Sequence, residues 1–128
     1  MNFTEAKKLF DTARNKETGK PIANNTRLIK IDDETYAIRL HDTNVVTFHK
    51  NGKITLDSGG WRTHTTKERM NDAISEHNFN IIQDKGLWYI GTGWNDTNKV
   101  LYEDGIVINT KTHKLQSAPS QKTMTKIS

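Results

Sequence analysis

The chain has 128 residues, no Cys, a 33% apolar share and a net charge of +4. That length suits one domain and no more, and it buries enough surface to fold without metal or disulfide staples. The missing Cys excludes a disulfide scaffold, a Cys-ligated zinc site, an iron–sulfur cluster and a thiol nucleophile.

Phe3, Ala6, Leu9, Phe10 and Ala13 recur at helical spacing, which predicts an amphipathic helix over 3–15 with Asn2 or Thr4 as its N-cap. Residues 16–25 carry Gly19, Pro21 and Asn24-Asn25 and read as a polar loop. From Thr26 the apolar period changes to two, predicting strands over 26–31, 36–41, 45–50 and 53–57. Asn51-Gly52 is the sequence of a two-residue type I′ turn. That turn would set Thr47 opposite Leu56 and His49 opposite Ile54, spreading apolar residues over both faces of the sheet. A second layer or a partner subunit is then expected on the outer face, so a homo-oligomer is expected. Thr65 followed by Glu68 has the form of a capping box, and Met70, Ala73, Ile74 and His77 the stripe of a helix over 66–78. Further strands are predicted over 79–83, 87–91, 99–103 and 106–109, with turns at Asp84-Lys85-Gly86 and Asp104-Gly105.

The expected fold is α+β: antiparallel sheet of about six to eight short strands with two helices packed on it, in one domain over 1–110. Of the 19 Lys and Arg, Lys111, Lys114, Lys122 and Lys126 fall after residue 110, whereas all 15 acids precede it. The domain is therefore neutral, and residues 111–128 form a basic tail, rich in Ser, Thr and Lys, expected to be mobile. A neutral domain argues against single-strand nucleic-acid binding. No apolar run reaches the length that spans a bilayer and no signal peptide opens the chain, so a soluble cytoplasmic protein with no membrane partner is expected.

Residues 57–71 carry the strongest functional signal. Gly59-Gly60 lets backbone approach a ligand, Trp61 offers a ring for stacking, and Thr63, Thr65 and Thr66 offer hydroxyls at a helix start. Arg62, Lys67 and Arg69 add cations that pair with phosphate. His41 and Thr43 are expected to line the same pocket, with a nucleotide or another phosphate-bearing small molecule as ligand and no cofactor. The spacing is neither a P-loop nor a Rossmann fingerprint.

Three other chemistries compete. His41-Asp42-Thr43 and His64-Thr65-Thr66 have the form of paired histidine–hydroxyl motifs, which would make His41 and His64 the acid and base of a two-histidine phosphoesterase. A metal site from His41, His49, His64 and Asp42 or Asp57 is the second, though no helical histidine pair supports it. Ser58 lacks the elbow of a serine nucleophile. The third is a surface for a partner protein, with Trp94 in its Gly-flanked loop and the basic tail as contacts.

Leu40-His41-Asp42-Thr43-Asn44-Val45-Val46-Thr47 and Gly59-Gly60-Trp61-Arg62-Thr63-His64-Thr65-Thr66-Lys67-Glu68-Arg69-Met70-Asn71 together give the chain a resemblance. It resembles a family of small phage-encoded proteins with the pattern LHxTxVVT, then GGWxTxTTKxRxN, over roughly residues 25–110. The resemblance implies an accessory protein that acts on host machinery or host defence, by binding a host protein or by sequestering a nucleotide signal. His64 falls on a variable position of the pattern, which weakens the two-histidine enzyme.

Overall fold

The computed structural model describes residues 1–92 and 99–116. Trp94 and residues 117–128 of the tail lie outside the described residues. The architecture is α+β, with two helices, a seven-stranded antiparallel sheet and a three-stranded antiparallel sheet. The described strands number ten, more than the six to eight expected.

Helix α1 spans Phe3–Asp11 and starts on Asn2, whose side chain accepts from the Glu5 amide at 2.9 Å. It ends four residues earlier than its apolar spacing predicts. The Lys16 ammonium reaches back to the carbonyls of Asp11 and Ala13, both at 2.7 Å, and satisfies groups a helix end leaves open. Phe3 and Phe10 pack against Tyr36 at ring-centroid distances of 5.4 and 5.5 Å.

Strands β1 (Lys20–Ala23), β2 (Thr26–Asp32), β3 (Thr35–Leu40), β4 (Thr43–His49) and β5 (Lys53–Leu56) follow as a meander. The first lies in what the sequence predicts as loop: Pro21 lowers the strand signal there, but Pro is tolerated at a sheet edge, where β1 sits. The turn after β4 differs from expectation too. Only Gly52 takes positive φ, at +90°, and its amide donates to the His49 carbonyl at 3.0 Å. That is a three-residue loop with glycine at the bulge position. It shifts the register by one, so Val46 faces Leu56, Thr47 faces Thr55 and Phe48 faces Ile54. All four apolar side chains therefore share the inner face and are buried. The pairing with β3 slips between Ile38 and Arg39, which turns Val45 inward beside Val46. The outer face of the β4–β5 pair carries Thr47 and Thr55.

Helix α2 spans His64–Ile74 and continues as a 3₁₀ turn over Ser75–His77, which Asn78 stops at φ +66°. Its N-cap is Thr63, not Thr65: the Thr63 hydroxyl accepts from the Thr66 amide at 3.2 Å. Glu68 then makes no capping box and sits instead 3.4 Å from the Arg69 guanidinium. The buried stripe is Thr66, Met70, Ala73 and Ile74. Asn71 docks the helix on the strand segment that follows it, donating to the Ile81 carbonyl at 3.2 Å and accepting from its amide at 2.7 Å.

Strands β6 (Phe79–Asp84), β7 (Leu87–Thr92) and β8 (Val100–Leu101) form the small sheet. The chain then returns to the large one, where β9 (Ile106–Asn109) pairs with β5 and β10 (Lys114–Gln116) pairs with β9. Strand β10 falls within residues that the charge pattern assigns to the tail.

Candidate functional site

The turn between β3 and β4, the loop after β5 and the start of α2 enclose a cleft of about 330 Å³. Leu40 and Val45 supply its apolar floor. His41, Asp42 and Thr43 form one wall, and Trp61, Thr63 and Thr66 the other. Trp61 is 70% exposed, so its indole is not spent on the core. Among the described residues, the side chains of His41, Asp42 and Thr43 have no hydrogen-bond partner.

The geometry of the wall is fixed from behind. Ser58 is buried, and both its amide, at 2.8 Å, and its hydroxyl, at 2.7 Å, donate to Oδ1 of Asp104. The Tyr102 hydroxyl donates to the same oxygen at 2.8 Å. Burial pushes the Asp104 carboxyl up, but these donors and nearby Arg62 outweigh it and hold the group below its ordinary value. Burial, reinforced by Asp104, pushes the Tyr102 phenol well above its usual range. Gly59, at φ +62°, passes so close to Thr43 that a Cβ there would lie 2.7 Å from its hydroxyl. Glycine at 59 thus serves close approach between loop and strand, whereas Gly60, at φ +85°, faces open space.

The predicted ligand-binding residues divide. His41, Thr43, Trp61, Thr63 and Thr66 come together in the cleft. Arg62, Thr65, Lys67 and Arg69 do not line it. The Arg62 guanidinium lies over the rings of Tyr102, at 5.1 Å, and Trp88, at 5.9 Å, on the side of the loop that faces the small sheet. The Arg69 Nε donates to the Thr26 hydroxyl at 3.0 Å and ties α2 to β2. The backbone is largely committed as well: Gly59, Gly60, Trp61 and Thr63 all donate within the loop. The cleft therefore suits a ring and hydroxyl groups better than a bare phosphate.

The competing chemistries fare as follows. His41 lines the cleft, while the His64 side chain is 82% exposed, 3.5 Å from Glu68 and not part of the lining. His49 stands at the far end of β4, bonded to Thr55 at 3.0 Å, and burial lowers its pKa. Among the described residues no group of three His, Asp or Glu is placed to hold a metal ion. Ser58 is a buried structural hydroxyl. Leu40, Asp42, Val45 and Ser58 also line the cleft and are left out of the ligand set by sequence reasoning, although Leu40 and Asp42 adjoin His41.

Fold and site together define a small α+β protein with one apolar-floored, hydroxyl-rimmed cleft and a presented tryptophan. Residues 5–109 match the family described as Kyanoviridae Gp96 protein, and the chain belongs to that phage protein family. No curated protein and no solved structure matches it. Among the described residues no helix is long and apolar enough to cross a membrane.

Proposed function

We propose that the protein is a phage accessory module that binds and sequesters a nucleotide, or a ligand with a similar planar ring, in the cleft beside Trp61. The observation that carries the reading is the 70% exposed indole standing over an apolar floor with three unengaged polar side chains, His41, Asp42 and Thr43, across from it. An exposed ring in a concave site offers stacking, and stacking of a base on an aromatic side chain contributes about 1–3 kcal/mol. The Thr43 hydroxyl and the Asp42 carboxylate suit the hydroxyls of a sugar or the N–H groups of a base. A volume of about 330 Å³ lies at the lower end for small-molecule sites and accepts a nucleoside-sized group. Sequestration of a nucleotide signal would make the protein a counter-defence factor.

Isothermal titration against mono-, di- and cyclic nucleotides and the matching nucleosides tests the reading. Heat with at least one of them, weakened about 5- to 150-fold by Trp61→Ala, supports it. No heat with any of them overturns it. A second reading, an inhibitor that docks on a host enzyme, is favoured by Leu87, Val100 and Leu101, each about half exposed on the small sheet. It expects Leu101→Asp to abolish capture of one stoichiometric host protein and Trp61→Ala to leave capture intact.

A further inference from the structure

A second, independent binding feature lies on the other side of the β3–β4 turn. Arg27 on β2 and Arg39 on β3 are direct cross-strand partners and point out of the sheet together. Like charges directly opposite each other on a sheet repel. Among the described residues neither arginine has an acidic partner within ion-pair distance. The Arg27 guanidinium makes one long bond, 3.5 Å, to the Gly19 carbonyl, and that of Arg39 makes none.

Two other cations nearby are already engaged, whereas Arg14 and Lys20 line a neighbouring hollow together with Arg27. Lys16 caps α1, and Lys30 pairs with Asp33 at 2.9 Å. The two guanidinium groups, neither of them in an ion pair, line a hollow of about 220 Å³ whose remaining walls are Asn25 and His41, donors both and neither an acid. Glu17 and Asp42 do not line this hollow but the larger groove alongside, which Arg27, Arg39 and His41 also line together with Lys16 and Lys30. The walls are tied to one another and to α2. The His41 amide donates to the Asn25 carbonyl at 2.9 Å, joining the two turns, and both residues are held at φ +53°. Thr26, between Asn25 and Arg27, is bonded to Arg69 of α2.

We propose that Arg27 and Arg39, with Asn25 and His41, form a site for a phosphate group: inorganic phosphate, pyrophosphate or the phosphate of an ester. Two planar guanidinium forks side by side match the several oxygens of a phosphoryl group, and the bound anion relieves the repulsion between them. The site stands without the Trp61 reading, because it makes no use of a ring. It also supplies what the Trp61 cleft lacks, since His41 lines both.

The test is titration of the full chain with inorganic pyrophosphate at constant ionic strength, read by calorimetry and by melting temperature. Wild type is expected to bind and to melt higher with the anion. Arg39→Gln and Arg27→Gln are each expected to lose at least tenfold in affinity. Without anion, each is expected to melt no lower than wild type, since the opposed charge is gone. Trp61→Ala is expected to bind pyrophosphate as wild type does. A wild-type chain blind to pyrophosphate, or arginine variants that bind it unchanged, overturns the site. A nucleoside diphosphate that binds at least tenfold tighter than pyrophosphate, with the gain lost in Trp61→Ala, assigns the phosphate to a nucleotide. Equal affinities assign it to a phosphate source without a ring, and the site stands in either case.

Discussion

The segment joining β5 to α2 has two sides, and the same few residues serve them differently. On the inner side Ser58 and Arg62 face Asp104, Tyr102 and Trp88, where hydrogen bonds and ring contacts commit nearly every polar atom. On the outer side Trp61 and Thr63 face His41, Asp42 and Thr43 across an open cleft. Two tryptophans mark the contrast: Trp88 is 1% exposed and Trp61 70%. A loop presents an aromatic side chain to a ligand at low entropic cost only if something else holds its backbone still. Here the inner side does the holding, so substitutions there should act on stability and those on the outer side on binding.

Asp104→Ala should break the contrast most. It leaves the Ser58 amide, the Ser58 hydroxyl and the Tyr102 hydroxyl without an acceptor, at an expected cost of about 3 kcal/mol in chemical denaturation. Acid should do the same by degrees. A carboxyl whose folded pKa lies below its unfolded value adds stability above the unfolded value, 3.8 for Asp104, and loses it as the pH falls through the folded one. Wild type should therefore weaken below about pH 4, and Asp104→Asn should flatten that part of the profile.

Next come the paired glycines. Gly59→Ala meets both a positive φ and the Thr43 side chain and should cost about 2–3 kcal/mol, whereas Gly60→Ala meets only the φ and should cost about 1 kcal/mol. Equal costs would mean that the loop does not press on β4. Thr63→Ala should cost about 1 kcal/mol as loss of an N-cap, with Thr65→Ala within about 0.5 kcal/mol of wild type. Trp61→Ala should leave the melting temperature almost unchanged while weakening ring binding about 5- to 150-fold, the smallest effect on stability and the cleanest mark of the outer side.

How much of this was legible in the sequence varied with the kind of signal. Period-two alternation and turn residues placed the strands from Thr26 to Asn109, and helical spacing placed both helices, because local pattern and burial agree there. Strand β1 and strand β10 escaped because polar, Pro-containing or Lys-rich edges carry little apolar alternation. The register after β4 escaped because Asn-Gly suits both a two-residue turn and the three-residue loop with Gly52 alone at positive φ. At the site, Trp61 stands exposed and lines one cleft with His41 and Thr43, which the sequence places 18 or more residues away from it. The commitment of Arg62 and Arg69 to Tyr102, Trp88 and Thr26 was not legible, since those partners are remote in the chain. Arg27 and Arg39 left a signal that went unread: like charges on outward positions, equally far from Asp33 in the turn between their strands.

The return of the chain after β8 has a consequence for assembly. Strands β1 to β5 pair with sequence neighbours, but β5 gains its second partner only when β9 comes back from beyond the small sheet. Closing so long an excursion is the entropically demanding step of building this topology. Asp104 rides in on that same return, immediately ahead of β9, and Ser58 has no acceptor until it arrives. A nascent chain thus acquires the meander from local contacts, and the support behind the loop between β5 and α2 only when its last third has come home.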